Sequence, residues 1–476
     1  MEQPAQKNYN VLKFVDYEKG MVTIMTKDLT EGKPLKLILK FAVPLLFGPL
    51  FQQFYSVIDT MIVGKFLGAD ALAAVGSTGS VNFLVNGFCI GVCSGFAIPV
   101  AQQFGAKKES ELRKFVANAA WLSIVFAVIM TILTTVLCRT ILEVMRTPDD
   151  IINEAYSYIF VIFAGIPATF LYNMLAGIIR SLGDSKTPVV FLALSSVINI
   201  ILDVVFIYFL NTGVAGAAYA TVISQLISGI CCFFFMRKKY EILKITKEEW
   251  KFDSHYAFLL CSMGIPMGLQ YSITAIGSVV LQSAVNTLGT AYVSAMTAAS
   301  KLSIFFCCPF EAMGTTMATY GGQNVGAGKI DRLGKGLKAC VMLGAVYSVI
   351  AFVIYLFFTP QLSLLFLDAS EAELIANAKM FLISNGMFYF ALALVNIVRF
   401  MIQGIGFSSL AVFAGVFEMV ARTVVGFVFV PKLGYQAACF ANPAAWIMAD
   451  IFLIPAYFYC VNKLKKRMKN EREMTA

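Results

Sequence analysis

Apolar runs long enough to cross a bilayer recur from one end of this chain to the other. Inside hydrocarbon every backbone N–H and C=O must be satisfied internally, so only helices or a closed barrel are possible. Barrel strands would be about 10 residues of alternating polarity. These runs are longer and continuously apolar, which excludes a barrel. Twelve of them are countable, at roughly 37–58, 75–101, 116–138, 155–178, 187–210, 214–236, 256–283, 291–320, 337–359, 376–402, 408–430 and 435–461. Only 14% of the 476 residues are charged and the mean hydropathy is +0.76. Soluble domains carry about 25% charged residues, so the expectation is an all-α integral membrane protein with twelve transmembrane helices.

A net charge of +9 would suggest nucleic acid in a soluble protein. Here the basic residues mark topology, and no nucleic-acid partner is expected. With both termini inside, the cytoplasmic set comprises the N-terminal tail, 107–114, Arg180 with Lys186, 237–251, 329–338 and the C-terminal tail. Those segments hold 29 Lys and Arg, against five outside (Lys65, Arg139, Arg146, Lys379 and Lys432). That bias satisfies the positive-inside rule and closes only with an even number of spans. It predicts a multi-pass protein of the cell (inner or plasma) membrane, with acidic clusters at 149–154 and 368–373 outside. Residues 1–34 contain no apolar core of the signal-peptide kind and read as a disordered cytoplasmic extension.

The chain also repeats itself. Gln102-Gln-Phe-Gly-Ala-Lys-Lys108 returns as Gln323-Asn-Val-Gly-Ala-Gly-Lys329, shifted by 221. Lys40-Phe-Ala-Val-Pro44 answers Ser262-Met-Gly-Ile-Pro266, and Gly213–Thr221 answers Gly434–Asn442. Near-constant offset and order argue for two six-helix bundles. Six spans per half give both the same orientation, a parallel internal repeat about an axis along the membrane normal. The expected organisation is an extension 1–34, an N-lobe 35–236, a cytoplasmic linker 237–254, a C-lobe 255–461 and a tail 462–476.

Asp59 is the only charge between Lys40 and Lys65. At such depth a carboxylate costs about 2.5–3.5 kcal/mol on insertion scales, so it marks function. Gln52, Tyr55, Ser56 and Asp59 fall at i, i+3, i+4 and i+7, one polar stripe that must face protein or a water-filled cavity. In the fifth span Asn199 and Asp203, four apart, share one helical face. Thr221 adds a hydroxyl near the start of the sixth. Two carboxylates and two neutral oxygens suit a hard cation, and paired carboxylates can share a proton. A hydroxyl bonded to its own helix is an equal reading for Thr221. An inter-helix hydrogen bond is the other reading of Asn199 and Asp203. In the second half Glu418 and Arg422, also four apart, read as a structural ion pair. Lys301 and Glu311, on the eighth span, could pair across helices or line a cleft.

Other chemistry lacks residues. The eleven Cys are scattered among apolar residues without CxxC, and His255 is the only histidine. No metal site is expected beyond Na⁺ at the carboxylate set, and no other cofactor. Gly322 to Lys329 misses the phosphate-loop pattern because Ile330 follows the lysine. No Ser/His/Asp or HExxH arrangement supports hydrolysis, so an enzyme is not expected and an ion gradient must supply the energy.

Pro44, the Asp59-x4-Gly64-x3-Gly68 run followed by Ala71-Leu-Ala-Ala-Val75, Gly105 with Gly326, Ile179-Arg-Ser-Leu-Gly-Asp184 and Asn199-x3-Asp203 together resemble the multidrug and toxic compound extrusion (MATE) family. The resemblance runs from about Leu29 to Lys465. It implies export of lipophilic organic cations in exchange for H⁺ or Na⁺ by alternating access, with the bilayer as setting and a single chain sufficient. In the branch with an N-lobe ion site, a first-helix Asp, a fifth-helix Asn and Asp and a sixth-helix Thr form it, matching Asp59, Asn199, Asp203 and Thr221. Gln52 and Tyr55 match residues lining that lobe's cavity, and Asn173 is added to the cavity. Another branch places a Glu on the seventh helix and an Asp on the tenth. Residues 264–283 hold Gln270, Ser272 and Thr274 but no acid, and 380–402 holds none. A lipid-linked oligosaccharide flippase of the same superfamily, a passive channel and a scaffold are the rival readings.

Overall fold

The structure is a computed structural model that describes residues 28–145, 147–365, 367 and 370–475. Among them there is helix and no strand. The expected disorder of 1–34 lies outside the described residues as far as 27, but 28–34 is ordered, because Leu29 and Thr30 are buried and hydrogen-bonded to Gln323 and Lys329; Arg146 and Asp368 lie outside the described residues too. Ten helices are long and apolar enough to cross a membrane, and two bent pairs complete twelve. The spans are Pro34–Leu67, Asp70–Gly105, Glu109–Val144, Ile152–Ala164 with Ile166–Ser181, Lys186–Phe209 and Val214–Lys239 in the first half. The second half has Ser254–Asn286, Thr290–Gly326, Asp331–Ser363, Ala372–Met387 with Tyr389–Gly404, Ser408–Leu433 and Ala441–Asn470. At 1.5 Å per residue a helix of 34 residues is about 51 Å long, well beyond a hydrocarbon core of about 30 Å. The helix ends therefore project past the apolar runs from which the spans are counted.

The repeat is written into the backbone. The fourth span of each half is the bent one, by 45° and 51°. The fifth span of each half closes on a π-helical turn, Val204–Phe209 and Val425–Phe429. Such turns are frequent at functional sites. The first begins immediately after Asp203.

Two apolar cores form, one per lobe, but two helices divide themselves between them. The first span begins in the second-half core (Ile38, Phe41 and Leu45, with Leu29 just ahead of the helix) and ends in the first-half core at Val63. The seventh does the reverse, from Ala257 and Leu260 in the first-half core to Leu281, Ala284 and Val285 in the second. Hydrogen bonds fasten both crossings at the basic face, the end carrying 107–114, 237–251 and 329–338. Leu29 N–H donates to Gln323 Oε1 at 2.8 Å, and Arg332 donates to the Gly32 carbonyl at 3.0 Å. On the other lobe Trp121 Nε1 donates to the Trp250 carbonyl at 3.0 Å and Asp253 N–H to Asn118 Oδ1 at 2.9 Å. Arg113 Nε reaches Glu249 at 2.8 and 2.9 Å, and this guanidinium holds the Glu249 carboxyl down at about 2.

The lobes meet through small residues, which let backbones approach closely. A Cβ on Gly91 would lie 2.6 Å from the Met267 carbonyl oxygen, and one on Gly95 would meet the Gly264 backbone. At the basic face the two copies of the repeated motif touch: Gly105 abuts the Gln323 backbone and Gly326 the Gln102 backbone. Gln102 Nε2 donates to the Gly404 carbonyl at 3.3 Å and Gln323 Nε2 to the Ser181 carbonyl at 2.8 Å.

Candidate functional site: a cavity between the lobes and a buried oxygen cluster

Beyond that contact the lobes part around a cavity of roughly 530 Å³, which runs from Ala101 and Ser181 to Gly79 and Asn82. The polar stripe of the first helix faces it, since Gln52, Tyr55, Ser56 and Asp59 are all lining residues. Asn199, Thr221 and Asn173 line it as well, the Asn173 amide donating to its own helix at the Thr169 carbonyl, 2.8 Å away.

Asp203 is not on the cavity wall. It is fully buried behind it, whereas Asp59 keeps 8% of its surface exposed. The two carboxyls nevertheless lie within direct interaction range of each other, and Tyr55 and Tyr158 lie within range of both. Asn199 Nδ2 donates to Thr221 Oγ1 at 3.3 Å, so the amide and the hydroxyl do meet across helices. Four buried oxygens then have no donor among the described residues: Asp59 Oδ1, both oxygens of Asp203 and Asn199 Oδ1. Buried acceptors left unsatisfied are costly and rare. A cluster of them beside a cavity is suited to a proton or a small hard cation. Tyr158 was not among the residues picked from the sequence, because a tyrosine in an apolar run carries no signal of its own.

The second half is built otherwise. Glu418 does meet Arg422, at 3.5 Å, but its shorter contact is Arg399, at 3.0 Å, from the tenth span. The expected pair is thus a carboxylate shared by two guanidiniums, because Arg399 returns to the same depth on a neighbouring helix. Arg422 also donates to Asn442 at 3.2 Å, and Gln403 is hydrogen-bonded to Gln270. None of these side chains lines the cavity. Arg180 departs from expectation in the opposite sense: counted above as a cytoplasmic topology charge, it lines the cavity, and so does Glu311.

A family model described as MatE matches this chain twice, over residues 44–205 and 266–428. The chain is a member of the MatE family. One matched segment lies in each half of the structural repeat, running from its first span into its fifth. Among relatives, the chain is similar to "Probable multidrug resistance protein YoeA" of Bacillus subtilis, 29% identical over 76% of this chain and 79% of the relative. It is 32% identical to "Probable multidrug resistance protein YpnP" of the same organism, over 64% of this chain and 68% of the relative. Its fold is that of an outward-facing multidrug resistance MATE family transporter of the MOP superfamily. The TM-score is 0.86 at 23% identity, over 94% of this chain and 100% of the solved one.

Proposed function

We propose that this MatE protein exports lipophilic organic cations across the cell membrane, exchanging them for H⁺ or Na⁺ by alternating access. The observation that carries the reading is the cluster of undonated oxygens on Asp59, Asp203 and Asn199 at the edge of the inter-lobe cavity. Multidrug resistance proteins are its relatives in sequence, which supports the substrate class. The basic face is the cytoplasmic one, the first and last described stretches of the chain lie there, and one chain forms the whole cavity.

Asp59 on the wall and Asp203 behind it define an order of events. A cation in the cavity is held by Asp59 and by aromatic surfaces such as Tyr55 and Tyr271. An ion arriving from outside reaches Asp59 first and is shared with Asp203, Asn199 and Thr221. It cancels the charge that held the substrate. Reciprocal linkage requires that substrate and ion weaken each other's binding. The first helix carries the event to the other lobe, because its inner end is anchored in the second-half core and fastened by Gln323 and Arg332. Pro44 and Pro49 lie between that anchor and Asp59, where a proline-containing helix bends most readily. A tenfold gradient supplies about 1.4 kcal/mol and 100 mV about 2.3 kcal/mol per charge, enough for useful accumulation.

Dye efflux from proteoliposomes, with a pH or Na⁺ gradient imposed separately, tests this. The wild type is expected to move dye against its gradient under one of the two ions, and Asp59→Asn and Asp203→Asn to lose that response. Normal gradient-driven efflux in both variants would sink the mechanism.

A further inference from the structure

A second hollow, of roughly 310 Å³, shares no residue with the inter-lobe cavity. It is lined by Leu410 of the eleventh span and by Ile451, Phe452, Pro455, Ala456 and Tyr459 of the twelfth. Phe452 ties the two walls together, its ring centroid 6.0 and 5.3 Å from those of Phe413 and Phe417 on the eleventh span. Apart from the Tyr459 hydroxyl every lining side chain is apolar, and Ile451 and Tyr459 are exposed, so the hollow opens towards lipid.

The inner end of this hollow carries a charge. Lys463 Nζ lies over the rings of Phe407 and Tyr459, 5.7 and 5.9 Å from their centroids, and so stands between the two walls. Ring faces attract an ammonium without neutralising it. Lys463 is exposed and makes no ion pair within 4.0 Å among the described residues. No acid occurs at 405–417 or 451–470, while 463–469 holds five Lys and Arg. Ile451, Pro455, Tyr459 and Lys463 recur every four residues and share one face of the twelfth helix. From Ile451 to Lys463 that face is about 18 Å long at 1.5 Å per residue, close to the half of a hydrocarbon core of about 30 Å that one leaflet supplies. It is apolar at depth and cationic at the basic face.

The internal repeat shows that the fold does not require this arrangement. Gly213–Thr221 answers Gly434–Asn442, and helix runs unbroken from there through Phe234 in one half and Pro455 in the other. The same count sets Phe234 at the place of Pro455 and Ile242 at that of Lys463. The first lobe therefore has a bulky ring where the second has a notch, and no charge at its end.

We propose that the hollow binds an anionic phospholipid of the cytoplasmic leaflet, an acyl chain lying along Ile451, Pro455 and Tyr459 and the phosphate on Lys463. Charge complementarity selects this occupant. A zwitterionic lipid fills the hollow equally well but brings its own cation to a helix end that already holds five. The inference takes from the export reading only the side on which the basic face lies.

Native mass spectrometry of the purified, delipidated full-length chain, titrated with dioleoyl phosphatidylglycerol or dioleoyl phosphatidylcholine, gives the affinity for the first lipid bound. The wild type is expected to favour phosphatidylglycerol. Lys463→Gln is expected to lower that affinity about fivefold or more, the worth of one lysine at an anionic membrane surface, and to leave phosphatidylcholine unchanged. Lys465→Gln removes the same charge from another face of the helix and should change little. Pro455→Phe installs the residue that the first lobe carries and should weaken phosphatidylglycerol binding with the lysine intact. Should that variant fail to fold, the exposed Lys463 and Lys465 variants decide the matter between them. Equal affinities of the wild type for the two lipids, or equal losses in Lys463→Gln and Lys465→Gln, would overturn the proposal. A wild-type dimer that Pro455→Phe dissociates would assign the hollow to a second copy of the chain instead.

Discussion

Replacing Gly105 or Gly326 by alanine should open the basic face. A Cβ on Gly105 would lie 2.6 Å from the Gln323 carbonyl carbon and 2.7 Å from its Cα. On Gly326 it would lie 2.6 Å from the Gln102 carbonyl carbon and 2.9 Å from its Cα. Carbon atoms prefer about 3.5–4.0 Å, so the helix ends must separate by about 1 Å. Every atom in the way is backbone, and no rotamer change relieves the clash. Overpacking of this kind costs about 1–3 kcal/mol. The cost falls on the closed form alone, because separated lobes make no such contact. A bias of about 1–3 kcal/mol is roughly 5- to 150-fold in population. Spin labels at Lys107 and Lys335, both exposed, report the separation of the two lobes on this face. Each alanine variant should add a longer distance to the distribution. The double variant should add less than twice the single effect, since the two glycines share one contact region. Gly334→Ala is the control, with nothing within 4 Å of its added Cβ. An unchanged distribution in both variants, or equal opening by the control, would refute the idea that these glycines set closure.

Three further outcomes follow from other parts of the molecule. Glu418→Gln leaves Arg399 and Arg422 buried without their shared carboxylate, a loss of about 3–5 kcal/mol that thermal melting should reveal. Ion dependence of efflux should be unaffected, because the cluster lies off the cavity. Thr221→Val removes the partner of Asn199 and should weaken the coupling ion several-fold, read as the ion concentration at half-maximal efflux. Glu249 is held at about 2 against an ordinary 4.5, so its carboxyl is favoured in the folded form. The stability it adds is complete above about pH 4.5 and is lost as pH falls towards 2, a profile that Glu249→Gln should abolish in hydrogen exchange of 246–253.

The spans are legible in the sequence because lipid enforces a continuous apolar run, whatever the helix packs against. The repeat is legible for a different reason: Gly105 and Gly326 sit where two backbones touch, and such a contact admits no other residue. Asp59 is legible by its cost, and Asn199 with Asp203 by their spacing. What the sequence leaves open is which partner a side chain finds. The two ends of the first helix are equally apolar, so nothing in the pattern tells that Phe41 enters one core and Val63 the other. Arg180 lies one residue from a helix end, where a count of positive charges places it in the loop. Its long side chain instead turns back along the helix into the cavity, as its contact distance of 3.9 Å from a Cβ on Gly177 indicates. Asp59 and Asp203 look alike in sequence, yet one lines the cavity and the other lies behind it. Hydropathy records what a charge costs at a given depth; the neighbours that compensate it come from other helices.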